Sequence, residues 1–308
     1  MTRRRWSWTE LQLERAENVR TVTKELRAYW PLTLRQIYYQ LVTKGQIKNT
    51  RSQYNMLSKL IKWMRIDEKL PWNALEDRSR TLTNKRGFDN LAEFINQETF
   101  DFLRGYTRCL IQNQDKHIEV WTEKDALLRI FKEVVYPYCI RAVVCRGYSS
   151  VTFIADFYTR AEKAIMQGKT PVILYFGDLD PSGVQMLEAT IETLEDELDL
   201  YGVEFKRIGL NPEHIDKYNL PADPTAAKST DPRYKKYVEK YGTVAVELDA
   251  LHPATLKKII KQSIEAEIDM DLFVEQQEQE GEDDDRLDEI RDKVCAAING
   301  ALPGMFDL

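Results

Sequence analysis

Apolar residues recur at helical spacing along the first third of the chain, then give way to short apolar runs bounded by turns. Residues 9–29 set Leu11, Leu13, Val19, Val22 and Leu26 among charges without Gly or Pro, which predicts a helix ended by Pro31. Thr33 then caps a second helix whose stripe Leu34, Ile37, Tyr38, Leu41, Val42 keeps a 3.6-residue period, and Gly45 closes it. Residues 50–66 predict a third helix with Tyr54, Leu57, Leu60, Ile61 and Met64 turned inward. Its other face carries Arg51, Asn55, Lys59, Lys62 and Arg65. Three short helices, the last with a basic face, outline a helix-turn-helix, and Leu70–Arg80 is the candidate wing.

Beyond a helical connector at about 90–112 the period changes. Short strands are expected at 117–122, 141–145, 171–176 and 203–210, separated by helices at 126–134, 151–167 and 183–197. Strands alternating with helices, with Pro171–Phe176 apolar throughout, indicate an open parallel sheet covered on both faces. Residues 212–240, rich in Pro, Asp, Lys and Tyr, read as loop. Thr243–Leu248 is a candidate strand, and 254–269 and 285–300 are expected helices. The expected fold class is α/β: a winged helix-turn-helix domain at 1–90, the connector at 91–114, the sheet domain at 115–212, and a loop-rich, helical extension at 213–308.

Charge sharpens this division. Residues 1–90 hold 19 Lys and Arg against 9 Asp and Glu, a net of +10, and the remainder holds 25 against 41, a net of −16. The basic front is therefore the part expected to hold a polyanion, with duplex DNA the expected partner through Arg51, Lys59, Lys62 and Arg65. Ten carboxylates between Glu275 and Asp292 read as a solvated face or mobile segment. No apolar run is long enough to span a membrane, no signal core follows the basic start, and four scattered cysteines make no disulfide scaffold. A cytoplasmic, nucleoid-associated protein is the expectation.

In open parallel sheets ligand chemistry sits at the carboxyl ends of strands. Two such ends carry acids: Thr122-Glu123-Lys124-Asp125, and Gly177-Asp178-Leu179-Asp180-Pro181-Ser182-Gly183. Alternate carboxylates in a turning segment can converge, and Glu123 from another strand would complete an all-oxygen site suited to Mg²⁺, with Mn²⁺ as the alternative. The competing explanation for Asp178 and Asp180 is a turn with helix-capping acids.

The order of these motifs resembles the Toprim domain of topoisomerases, primases and nucleases. Glu123-Lys124-Asp125-Ala126-Leu127, Arg146-Gly147-Tyr148-Ser149 and Asp178-Leu179-Asp180-Pro181-Ser182-Gly183 are similar to the topoisomerase VI A subunit and its meiotic double-strand-break relatives. That family precedes the sheet with a helix-turn-helix whose nucleophilic tyrosine lies in a segment like Thr33-Leu34-Arg35-Gln36-Ile37-Tyr38-Tyr39. Leu179 stands where the family usually has Gly, Ser182 where it has Tyr, and Ser149 where it often has Pro. The resemblance implies Mg²⁺ held by Glu123, Asp178 and Asp180, with Tyr39 as nucleophile attacking DNA and Glu123 as acid/base. It also implies a homodimer in which Tyr39 of one protomer meets the acids of its partner. A separate ATPase subunit would be needed for strand passage.

The residues themselves put Tyr38 on the apolar stripe and Tyr39 off it, four positions after Arg35, whose charge would favour a phenolate. Tyr39 as a surface or interface aromatic and Arg35 as a phosphate-positioning group is the equal alternative. Three functions follow: tyrosine-mediated DNA cleavage, a Toprim nuclease using metal-activated water in mobile-element defence or phage DNA processing, and a non-catalytic DNA-binding protein.

Overall fold

The computed structural model describes residues 6–75, 87–145, 151–221 and 233–301. It divides into two compact units, residues 1–79 with 116–267, and residues 80–115 with 268–308.

The first unit begins with α1 (Glu10–Glu25), α2 (Leu34–Thr43) and α3 (Arg51–Ile66). Each starts on a threonine whose hydroxyl accepts a first-turn amide: Thr9 from Gln12, Thr33 from Gln36, Thr50 from Gln53. Such a cap contributes about 1 kcal/mol. Val19, Val22, Leu26, Ile37, Leu41, Leu57, Leu60, Ile61 and Met64 form the buried seam. Leu11 and Leu13, expected among the apolar positions of α1, are exposed, because burial begins only at Ala16. After α3 the chain makes a short 3₁₀ turn at Trp72–Ala74, and Leu32 bridges Leu75. The rest of the candidate wing, residues 76–80, lies outside the described residues.

Four parallel strands follow: β1 (Lys116–Thr122), β2 (Arg141–Val144), β3 (Thr170–Phe176) and β4 (Glu204–Gly209), in the order β2-β1-β3-β4. Helices α6 (Val151–Met166) and α7 (Pro181–Glu192) cover the face presenting Trp121, Ile173 and Tyr175. On the other face α5 (Leu128–Val135) packs on β1 and β2, places Phe131 against Phe176, and is backed by α10 (Pro253–Glu265). Burial on both faces is why Val172 through Phe176 read as an unbroken apolar run. The chain moves from β1 out to β2 and then back across β1 to β3. The carboxyl ends of β1 and β3 therefore flank the topological switch point.

Two expectations change, and a third falls outside the described residues. Residues 212–240 are not simply loop: α8 (Glu213–Lys217) and α9 (Tyr234–Tyr241) form there, with residues 222–232 outside the described ones. The segment 243–248 is not a strand of the sheet. Val246 makes one antiparallel bridge with Leu179, after which Leu248 N–H donates to Asp178 and the chain turns at Leu248–Ala250. The Arg146–Ser149 motif lies outside the described residues.

In the second unit α4 (Leu91–Asp101) and α11 (Met270–Ala301) are the helices described. The last helix begins at Met270 rather than near 285, and its acidic run does more than face water. Arg108 pairs with Asp283 at 2.8 Å and donates to Gln276, its amide donates to Glu280, and Tyr106 donates to Asp283. No helix among the described residues is long and apolar enough to cross a membrane.

Candidate functional site

The end of β1 and the end of β3 are locked side by side. Glu123 N–H donates to Phe176 O at 3.0 Å, continuing the ladder, and Glu123 Oε2 accepts from Asp178 N–H at 3.3 Å. The Asp178–Gly183 turn is tied from below by Arg207 on β4. Its guanidinium donates to the carbonyls of Asp178, Gly183 and Leu210 and lies over the Tyr175 ring. Asp180 caps α7 by accepting Gly183 N–H at 2.6 Å, so the capping explanation holds for this residue. Gly183 is dictated by space. A Cβ there would lie 2.6 Å from Asp178 O and 3.1 Å from Glu123 Oε2.

Two further acids join this edge. The bridge between Leu179 and Val246, at 2.9 and 3.0 Å, lays the 246–250 segment across the turn. Leu248 N–H then donates to Asp178 Oδ1 at 2.8 Å. Glu247 and Asp249 are thereby placed around Lys124, whose Nζ lies 2.6 Å from Asp178 Oδ2, 3.5 Å from Glu247 Oε2 and 3.7 Å from Asp249 Oδ2. Sequence reasoning missed both acids. The acid–x–acid spacing of Glu247-Leu248-Asp249, which repeats that of Asp178-Leu179-Asp180, was the signal available.

Arg35 and Tyr39 reach the same place because α2 packs on the Leu248–Ala250 turn. Arg35 forms an ion pair with Glu247 and stands 3.9 Å from Asp249. Tyr39 lies off the apolar stripe yet is only 8% exposed, since the second side of its helix is covered by that turn. Tyr38 is core, with its hydroxyl 3.0 Å from Asn49 Oδ1. The Tyr39 phenol is held above the ordinary tyrosine range, first by burial and then by Glu247, against which the lowering effect of Arg35 does not prevail.

Five carboxylates thus gather around two cations in a half-buried setting. Burial, then Asp178, pushes Glu123 up to about 7. Burial alone is the leading cause that raises Asp249 to about 6, and burial likewise raises Asp180. Burial works against the Lys124 ammonium, but Asp178, Asp249 and Glu247 outweigh it and raise its pKa. Asp249 is 1% exposed, and neither of its carboxylate oxygens accepts a hydrogen bond among the described residues. An orphaned buried carboxylate within an all-oxygen donor set fits a hard divalent cation in its chemistry. In geometry the acids are not drawn into a coordination shell: among the described residues no three are grouped to hold a metal ion, and Lys124 takes the central position.

The structure therefore brings together Arg35, Tyr39, Glu123, Asp178 and Asp180. Arg51, Lys59 and Lys62 are exposed on α3, and Arg65 is half-buried against Trp72. Arg129, adjacent in sequence to the Glu123 motif, donates instead to Tyr29 O and Pro31 O and pairs with Glu133. A cleft lined by Asn96, Phe100, Arg104, Arg291 and Cys295 includes none of the five acids of this site. No protein-family model matches the chain, and no curated protein matches it.

Proposed function

We propose that the protein is a Mg²⁺-dependent DNA-cleaving enzyme, in which Glu123, Asp178 and Asp180 hold the ion and Glu247 and Asp249 extend the acidic set. The observation that carries this reading is the excess of carboxylates over cations at the switch point, centred on Asp249, whose buried carboxylate accepts no hydrogen bond among the described residues. A bound divalent ion supplies charge stabilisation at the scissile phosphate. Glu123, with a pKa of about 7, is suited to take up and release a proton near neutrality. The basic face of α3, with Arg51, Lys59 and Lys62 in water, supports duplex binding within a winged helix-turn-helix arrangement.

The nucleophile in this proposal is Tyr39. Its oxygen bonds to phosphorus as the P–O3′ bond breaks, the phenol proton passes to a carboxylate and the 3′-oxygen takes one up. The product is a 5′-phosphotyrosyl end. Tyr39 lies near Glu247, Asp249 and Asp178 of its own chain, rather than a partner's as the resemblance implied, and these carboxylates offer an acceptor for its proton. Two copies acting together would cut both strands. A second reading, hydrolysis by water at the same acids, is favoured by the burial of Tyr39 and its raised pKa.

The test is supercoiled plasmid incubated with Mg²⁺ or Mn²⁺, stopped with detergent and run with and without protease. Cut DNA that enters the gel only after protease, absent for Tyr39→Phe and Glu123→Ala, supports the tyrosine reading. Free ends from wild type and Tyr39→Phe alike, lost in Glu123→Ala, support hydrolysis. Intact plasmid in every lane, with DNA still bound, would leave a DNA-binding protein and overturn the enzyme reading.

A further inference from the structure

The indoles of the helical front are not spread evenly: Trp6, Trp8, Trp63 and Trp72 gather around the end of α3 and the segment after it. Trp6 stacks on Trp63 with ring centres 5.0 Å apart and planes inclined by 23°. Lys62 Nζ lies 5.8 Å from the Trp63 ring centre, Arg65 Cζ 4.5 Å from that of Trp72, and Lys69 Nζ 5.5 Å from that of Trp8. These are the cation–indole pairs among the described residues, and all of them fall in this one patch.

Hydrogen bonds hold two of these tryptophans as well, one at its indole and one at its backbone. Trp8 Nε1 donates to Asp67 at 2.8 Å, and Arg65 donates to Trp72 O at 3.0 Å while its guanidinium covers the same residue's ring. Trp72 is nevertheless 61% exposed. A large aromatic ring left mostly in water adds little to the fold, and this one is fixed by a cation at its face and a hydrogen bond at its backbone. Its orientation is settled before any ligand arrives, which removes part of the entropic cost of binding. From Arg51 to Trp72 the chain carries Arg51, Lys59, Lys62, Arg65 and Lys69 against Asp67 and Glu68, so the surroundings favour a polyanion.

We infer that this patch is a stacking platform for unpaired bases of single-stranded DNA, with Trp72 as its exposed ring and Lys62 and Lys69 beside it for the phosphates. Flat rings interleaved with cations match a ligand that alternates base faces with phosphates, whereas a duplex shields its base faces within the stack. The inference is independent of the acids at the switch point. It holds or fails without reference to cleavage.

The test is fluorescence anisotropy of the full chain in EDTA at fixed salt, with a labelled oligothymidylate of about 12 nucleotides and a blunt hairpin duplex of similar length. Wild type, Trp72→Ala and Trp72→Tyr are compared, with thermal melts to confirm that each variant is folded. Trp72→Ala is expected to weaken oligothymidylate binding by about 10-fold. It should leave the hairpin within about 2-fold, and Trp72→Tyr should restore most of the loss because a tyrosine ring also stacks. Failure of the wild type to bind the oligomer, or an equal loss on both ligands, would overturn the inference. So would an unchanged affinity in folded Trp72→Ala.

Discussion

Strand β1 holds one glutamate and is followed by another four positions on, and their surroundings are opposite. Glu119, in mid-strand and 0% exposed, accepts from Arg160 at 2.6 and 3.1 Å and from the Trp121 indole at 3.0 Å. Burial alone would raise its pKa, but the imidazole of His117 at 3.6 Å, the Arg160 guanidinium and the indole outweigh it and hold it at about 2. Glu123, at the strand end, has Asp178 beside it and shares Lys124 with four other acids, so its pKa moves the other way, to about 7. A buried carboxylate matched by donors belongs to the fold. One left among its own kind at a sheet's carboxyl edge costs stability, and that cost is accounted for when a ligand supplies the missing charge.

Substitution separates the two roles. Glu123→Gln should lower plasmid cleavage by about 10²–10⁴-fold, the range for losing a positioned acid/base, while the metal-free melting temperature stays level or rises. Unchanged cleavage would remove Glu123 from the chemistry. Glu119→Gln should do the reverse, lowering stability by about 3 kcal/mol because it leaves the partly buried Arg160 guanidinium of α6 without its carboxylate. Urea unfolding checks this, and a loss below about 1 kcal/mol would show that Arg160 finds water instead.

Sequence patterning was sufficient for the helical front, because Thr9, Thr33 and Thr50 signal helix starts by local chemistry alone. It also placed Glu123, Asp178 and Asp180 at one edge of the sheet, since strand ends in a parallel sheet are ordered by topology. Glu247 and Asp249 were hidden because a single bridge, Leu179 to Val246, carries them to the edge, and one long-range contact leaves no periodic trace. The same long-range packing buries Tyr39, which local periodicity placed on the outside. The start of α11 was obscured by its charge: glutamate and glutamine sustain a helix well without an apolar stripe, and the side chains that bind Arg108 are polar.

Smaller effects sharpen the contrast further. Gly183→Ala would force a methyl between Asp178 O and Glu123 Oε2, which asks the turn to move. The expected loss is about 1–3 kcal/mol in urea unfolding, with weaker cleavage in parallel. A stability change near zero would mean the turn is soft. The smallest effect is in pH. Because the folded-state pKa values of Glu123 and Asp249 are raised, the folded form binds more protons than the unfolded one across this window. Metal-free stability should therefore fall as pH rises from about 4.5 towards 7 and then level off. Mg²⁺ should raise the melting temperature little at the acid end of that window and most above neutrality, where both carboxylates are ionised. A Mg²⁺ effect independent of pH would place the ion elsewhere.

The most direct test is a calorimetric Mg²⁺ titration of wild type, Asp178→Asn and Glu119→Gln above neutral pH. The account expects saturable binding to wild type, loss of that binding in Asp178→Asn, and retention in folded Glu119→Gln. No binding to wild type, or binding that Asp178→Asn leaves intact, would contradict it.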